Sequence, residues 1–212
     1  MYRKIAASWL VLFAISSAYA DCPQSLVNKA MKYLTTLDNV IMIFSQSDQN
    51  DASYSGAFML KKPRFRINYD PPHPLVITGN QSSIKMYDYE LNELSILPAR
   101  ENTFRFLLAN DKQKWSDQFE VSQCIQVGDM IMSMDIVDKQ NKQQCNVVFN
   151  VDPFGLQSMT LNNGGDQIWV NFSMIAQMLK APKYLFLLND PKMFGEPMRF
   201  STKDLLELVL PE

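Results

Sequence analysis

Histidine and glycine are scarce in this chain, with one and seven of its 212 residues. A single histidine excludes the histidine clusters that hold zinc. That residue, His73, lies among prolines in residues 71–74, where a solvated side chain fits better than the positioned base of a serine-type hydrolase. The only glycine pair, Gly164 and Gly165, lacks the lysine and hydroxyl of a phosphate-binding loop. We therefore predict a protein that is not an enzyme, with no catalytic residues, no metal site and no cofactor.

Long hydrophobic runs are also missing. The apolar stretch at residues 5–15 is shorter than the about 20 residues that a membrane span needs. It follows Arg3 and Lys4 and precedes Ala18-Tyr19-Ala20, a small-x-small pattern typical of a signal-peptide cleavage site. We predict a signal peptide at residues 1–20, and a single exported, unanchored domain at residues 21–212.

Excess positive charge is absent as well. Without residues 1–20 the chain keeps 18 of its 20 basic residues and all 22 acidic ones, a formal charge of −4. This balance argues against a nucleic-acid partner, which requires a basic face. Three cysteines, Cys22, Cys124 and Cys145, leave at least one thiol free or paired between chains. An oxidising compartment permits one disulfide, whose pairing the sequence leaves open.

Hydrophobic periodicity predicts few helices and many strands. Apolar residues recur every three or four positions in residues 23–37, which indicates a helix. A short helix is predicted at residues 103–110, and residues 201–210 are expected to dock as a helix or an edge strand. Alternating segments separated by turn residues fill most of the remainder, which predicts consecutive hairpins in an antiparallel sheet.

Two strands stand out by composition. In residues 58–74, FMLKKPRFRINYDPPHP, alternation places Phe65, Ile67 and Tyr69 on an apolar face, and we expect Arg64 and Arg66 to face solvent. In residues 130–136, MIMSMDI, alternation predicts a stripe of Met130, Met132, Met134 and Ile136. This stripe is either ordinary sheet core or, since methionine adapts to guests of variable shape, a concave surface for an acyl chain.

The order of these pieces resembles the LolA family of periplasmic lipoprotein carriers. The resemblance spans residues 26 to about 194. It begins with the amphipathic helix, and characteristic segments come after that helix along the chain. They are Phe44-Ser45-Gln46, residues 56–69, the proline loop, residues 75–78, Met86-Tyr87-Asp88 and residues 103–108.

The resemblance implies a mainly β fold with few helices. It is an incomplete antiparallel β-barrel whose N-terminal helix and short helices form a lid over a hydrophobic cavity. It also implies a periplasmic monomer that takes the acyl chains of lipoproteins from a LolCDE-type inner-membrane ABC transporter to a LolB-type outer-membrane receptor. The alternative is a periplasmic sensing or scaffold domain of the same fold that does not shuttle cargo, which a filled interior would favour.

The resemblance also implies residue roles. The family places an arginine before the proline as a lid latch, and this chain has Lys62 there, which lacks the planar five-donor fork. The residues expected to line the acyl-chain cavity are Phe58, Leu60, Phe65, Ile67, Tyr69, Met86, Phe104, Leu107, Leu108, Met130, Met132, Met134 and Ile136.

Overall fold

Twelve strands form one antiparallel sheet in the part of the chain that the structure describes. The computed structural model describes residues 19–50, 52–80, 82–99, 104–163 and 166–210. The strands are β1 (Tyr19–Asp21), β2 (Val40–Asp48), β3 (Ser53–Lys61), β4 (Arg64–Tyr69), β5 (Leu75–Gly79), β6 (Ser83–Asp88), β7 (Glu93–Pro98), β8 (Phe119–Val127), β9 (Ile131–Asp138), β10 (Gln144–Val151), β11 (Phe154–Asn163) and β12 (Asp166–Gln177).

Five helices and one 3₁₀ turn accompany the sheet within the described residues. They are α1 (Gln24–Thr36), α2 (Arg105–Leu108), α3 (Lys112–Gln118), the 3₁₀ turn (Lys183–Phe186), α4 (Pro191–Phe194) and α5 (Thr202–Val209). None of them is long and apolar enough to cross a membrane.

The sheet is open. Its strand order is β1-β8-β9-β10-β11-β12-β2-β3-β4-β5-β6-β7, so β1 and β7 are its two described edges. Two runs of consecutive hairpins are joined where β12 pairs with β2. The predicted incomplete antiparallel barrel is thereby confirmed.

One apolar cluster shows that the sheet curls around an interior. Side chains from nine of the twelve strands meet in this cluster, together with residues of the first three helices. A flat sheet could not bring strands so far apart in the strand order into one cluster. The residues, one from each strand, are Met42, Phe58, Phe65, Ile84, Phe119, Met134, Phe149, Met159 and Val170.

The outer face of strands β2 to β6 is covered by residues 178–210, which we call the C-terminal segment. Leu185, Phe186, Leu205 and Val209 from this segment pack against the outward-facing side chains of β2 and β3. Both faces of β3 are therefore buried, and its consecutive residues 56–60 all lie in the core. For this reason residues 56–60 do not alternate between buried and exposed positions, as the residues of a half-exposed strand would.

Most predicted elements agree with the structure. The helix at residues 23–37 is α1, the described part of the helix at residues 103–110 contains α2, and the C-terminal stretch is a helix, α5. Ser201 begins α5 with a capping box to Asp204. The predicted signal peptide lies outside the described residues except for Tyr19 and Ala20, and cleavage after Ala20 stays a prediction.

The prediction that Arg66 faces solvent is wrong. Its side chain is only 3% exposed, while Arg64 is half-buried with its guanidinium 5.7 Å from the centroid of the Phe186 ring. Alternation does place Arg66 on the opposite face from Phe65 and Ile67, but that face lies under the C-terminal segment. Strand periodicity tells which face a residue takes and not whether another part of the chain covers it.

Cationic and polar side chains of β3, β4 and β6 hold the C-terminal segment in place. Four outward-facing side chains of β3, β4 and β6 donate hydrogen bonds to main-chain carbonyls of that segment, at distances of 2.8 to 3.0 Å. Buried carbonyls without a partner would destabilise the fold, and these donors satisfy them. The pairs are Lys61 with Ala181, Arg66 with Leu185, Asn68 with Phe200 and Lys85 with Leu188.

The cysteine pairing is resolved by the tertiary structure. Cys22, just before α1, forms a disulfide with Cys124 in β8, and Cys145 is a free, buried thiol in β10. Burial, with a smaller contribution from Asp135, raises the pKa of the Cys145 thiol. A thiol that does not ionise is a poor nucleophile.

We expect Cys145 to resist alkylation in the folded protein. Iodoacetamide should modify no cysteine of the native chain and one cysteine after denaturation without reductant, as read by intact mass. Modification of the native chain at the rate of a free thiol would contradict the burial of Cys145.

Candidate functional site

A layer of three helices, α1, α2 and α3, covers the concave face of the sheet, and we call it the helix layer. Ala30 and Leu34 of α1, Leu107 of α2 and Trp115 of α3 are buried in the interior cluster. The indole Nε1 of Trp115 donates to the carbonyl of Phe106 at 3.1 Å, which fixes α3 to α2. The helix layer therefore shields the interior of the sheet from water.

Helix α3 was not predicted. Its seven residues contain only one buried side chain, Trp115, so no apolar period marks it. The available signal was Asp111, whose side chain accepts a hydrogen bond from the backbone N–H of Lys114 as an N-cap.

Lys62 joins the helix layer to the turn between β3 and β4. Its ammonium Nζ donates to the carbonyls of Leu34 and Thr35 near the end of α1, both at 2.9 Å, and to that of Ala109 after α2, at 2.8 Å. Its backbone N–H donates to Asp38 at 2.7 Å. One side chain therefore connects both helices to the sheet.

The charge of Lys62 suits this position. Burial lowers its pKa to about 8, against the opposing attraction of Asp38, so the ammonium is still cationic at neutral pH. An ammonium has three N–H donors and no acceptor, and here each donor faces one carbonyl. Two of those carbonyls belong to the C-terminal turn of α1, where the helix dipole favours a cation.

The structure brings together most residues that were expected to line the cavity. Nine are buried in the interior cluster, and Tyr69 and Phe104 are partly buried against it. The nine are Phe58, Leu60, Phe65, Ile67, Leu107, Leu108, Met132, Met134 and Ile136.

Met86 and Met130 lie apart from this group. Met86 is half-buried on β6 without belonging to the interior cluster. Met130 is 63% exposed because β9 begins at Ile131, which leaves Met130 in the turn after β8. The methionine stripe thus starts at Met132. Whether any of these residues contacts an acyl chain stays a prediction.

The interior is filled by its own side chains where the structure describes it. A gap among aromatic residues, beside Phe58, Tyr69 and Phe104, has a volume of about 10 Å³. A second gap, beside Phe106 and Ile136, has about 20 Å³. A buried water needs roughly 10–15 Å³ of such space, so neither gap admits an acyl chain without movement of the surrounding side chains.

A polar cleft of about 360 Å³ adjoins the first gap. Gln46 and Tyr69 line both, and the Tyr69 hydroxyl donates to Gln46 at 2.9 Å between them. Burial raises the pKa of Tyr69 to about 12, so this hydroxyl keeps its proton. His73 lines the cleft with an exposed side chain 3.2 Å from Glu90. Polar and charged side chains of this cleft thus lie directly beside the apolar interior.

The chain matches the family described as "Outer membrane lipoprotein carrier protein LolA" over residues 36–189, well over half its length. It belongs to the LolA family. The match extends from the end of α1 to the C-terminal segment and contains Lys62, the interior strands and α2. LolA-family proteins are carriers that bind lipoproteins, and the family is periplasmic.

Similar proteins include one relative of nearly the same length. "Uncharacterized protein RP864" of Rickettsia prowazekii (strain Madrid E) is 27% identical over 205 residues, which cover 96% of this chain and 95% of the relative. A conserved Thermus thermophilus protein of known structure is 10% identical with a TM-score of 0.48, covering 78% of this chain and 95% of that one. LprF from Mycobacterium bovis is 9% identical with a TM-score of 0.37, covering 76% and 95%.

Proposed function

We propose that this protein is a periplasmic carrier that binds the acyl chains of lipoproteins between its sheet and its helix layer. In this role it takes a lipoprotein from a LolCDE-type ABC transporter at the inner membrane to a LolB-type receptor at the outer membrane, as a monomer. The observation that carries the proposal is the three-carbonyl contact of Lys62. A single side chain bonds to carbonyls of two helices that cover an apolar interior.

Binding would require the helix layer to move. Once the bonds of Lys62 break, the C-terminal end of α1 and the whole of α2 move away from the sheet, while the disulfide keeps the start of α1 on β8. This movement exposes Phe58, Leu60 and Met134 to an entering acyl chain. Each methylene that leaves water contributes about 0.8 kcal/mol. The buried methionines have unbranched, polarizable side chains that repack around flexible guests. The filled interior is then the closed state of the carrier.

A second candidate function is a periplasmic sensing or scaffold domain that binds a partner protein or a lipid without shuttling cargo. The specific observation in its favour is the same filled interior, because the two interior gaps described above are too small for an acyl chain before the lid moves. The two candidates differ in whether a soluble complex with a lipoprotein forms.

Release of lipoproteins from spheroplasts tests the proposal. Purified protein lacking residues 1–20 is incubated with Gram-negative spheroplasts that synthesise labelled lipoproteins. We expect a lipoprotein in the supernatant that elutes with the protein at a one-to-one ratio. An equal concentration of an unrelated exported protein is the control. If several lipoproteins all stay in the membrane fraction, the carrier proposal fails and the scaffold function is favoured.

A further inference from the structure

The C-terminal segment exposes a group of large apolar side chains that the proposed carrier function does not use. Tyr184, Leu187, Phe194 and Met198 are 55% to 71% exposed, and all four surround one depression of about 220 Å³. Met193, beside Phe194 in α4, is 77% exposed. We call these five residues the outer patch. Single exposed apolar residues are ordinary, but a contiguous group of them marks a surface that contacts something else.

Exposed cations alternate with exposed apolar residues along this segment. No ion pair within the described residues includes any of these cations. The guanidinium of Arg199 lies 5.5 Å from the centroid of the Tyr89 ring. A cation and an exposed apolar residue are neighbours at four places, which are Leu179-Lys180, Lys183-Tyr184, Lys192-Met193 and Met198-Arg199.

The surface around the outer patch is basic although the protein is acidic. Residues 178–199 contain four basic residues and two acidic ones, Asp190 and Glu196, which gives a formal charge of +2. Residues 21–212 together carry −4. The carboxylate of Asp190 accepts a hydrogen bond from the backbone N–H of Lys192 at 2.9 Å as the N-cap of α4. The positive charge of this surface therefore favours an anionic partner.

We propose that the outer patch and its four neighbouring cations bind the surface of a bilayer that contains anionic lipids. The cations pair with lipid phosphates, and the apolar side chains enter the boundary between headgroups and acyl chains. A protein partner fits less well, because lysine is depleted at protein–protein interfaces. The outer patch lies on the opposite face of the sheet from the helix layer, so this contact does not depend on the proposed carrier function.

Cosedimentation with lipid vesicles tests this surface. The protein without residues 1–20 is mixed with vesicles made of equal parts of phosphatidylcholine and phosphatidylglycerol, and separately with vesicles of phosphatidylcholine alone. We expect binding to the anionic vesicles to be roughly tenfold or more tighter, since each exposed cation adds to the attraction. Salt should weaken this binding, because it screens exposed charges.

Two glutamate variants locate the contact on the protein. Met193→Glu replaces an apolar side chain of the outer patch by a carboxylate, and we expect roughly tenfold or more weaker binding to the anionic vesicles. Met130→Glu is the matched control, because Met130 is also a methionine, 63% exposed, but lies in the turn after β8. Strands β10 to β12 separate β9 from the strands that the C-terminal segment covers. Met130→Glu should therefore bind like the wild type.

Each outcome supports or overturns the proposal. It is overturned if the wild type does not cosediment with anionic vesicles, if both lipid mixtures bind equally, or if Met193→Glu and Met130→Glu bind alike. A dimer that Met193→Glu dissociates, without vesicle binding, would show an interface between two copies instead. Circular dichroism melting of both variants should match the wild type, because both side chains are mostly exposed. The vesicles contain no lipoprotein, so the spheroplast assay tests the carrier function separately.

Discussion

Lys62→Leu is expected to free the helix layer and to lower the free energy of unfolding by about 2 to 4 kcal/mol. The substitution leaves three carbonyls, those of Leu34, Thr35 and Ala109, without their shared donor. Hydrogen exchange should show faster opening at the end of α1 and throughout α2, with little change in the central strands. Urea unfolding measures the stability change.

The same substitution should strengthen cargo binding. In the proposed carrier, an acyl chain enters only after the Lys62 contacts break, so their free energy opposes binding. Because 1.4 kcal/mol corresponds to a factor of ten, loss of about 2 kcal/mol predicts apparent binding of a triacylated lipopeptide more than tenfold tighter. Handover to a receptor should be correspondingly slower. Fluorescence titration and a transfer assay measure the two effects.

Lys61→Leu is the matched control for this experiment. It removes the same charge one residue earlier, but its Nζ bonds to the carbonyl of Ala181 on the opposite face. Hydrogen exchange in the helix layer should therefore stay at the wild-type rate. Lys62→Arg should keep the lid closed, because a guanidinium also donates several hydrogen bonds. Equal exchange in Lys62→Leu and Lys61→Leu would refute the latch.

Removal of the Cys22–Cys124 disulfide is expected to lower the free energy of unfolding by about 2 to 5 kcal/mol. The two residues are 102 positions apart, so the bond closes a long loop and strongly restricts the unfolded chain. It also holds the start of α1 to β8, while Lys62 holds the end of α1 to the β3–β4 turn. Breaking it should therefore loosen the helix layer as well.

Urea unfolding of the Cys22→Ala/Cys124→Ala variant, compared with the wild type, measures this effect. Dithiothreitol should destabilise the wild type to a similar extent and leave the variant unchanged, since the remaining thiol, Cys145, is not in a disulfide. An oxidised and a reduced wild type of equal stability would contradict the prediction.

Lys62 shows how far a family resemblance predicts a site. The resemblance implied a lid contact at the residue before the proline, and the ammonium of Lys62 does bond to the helix layer. The partner carbonyls could not be predicted from the sequence. Ala109 lies 47 residues away, and an alanine side chain does not indicate that its main-chain carbonyl accepts this hydrogen bond. Main-chain acceptors are identical in every residue, so only the fold selects them.

Arg66 and the interior show where sequence patterns stop. Alternation correctly assigned Phe65 and Ile67 to the interior, yet it predicted a solvated Arg66 that is buried under the C-terminal segment. It also placed Met130 on the methionine stripe, although the strand begins one residue later. Periodicity predicts which face of a strand a residue occupies. It predicts neither where the strand begins or ends nor whether another part of the chain covers that face.

The sequence by itself determined the helix α1, the hairpin order, the apolar face of β4 and membership of the LolA family, because these depend on local spacing and ordered motifs. Only the tertiary structure decided the Cys22–Cys124 pairing, the filling of the interior, the three acceptors of Lys62 and the burial of Arg66. Each of these depends on groups far apart in the chain that meet only when the sheet curls and its two faces are covered.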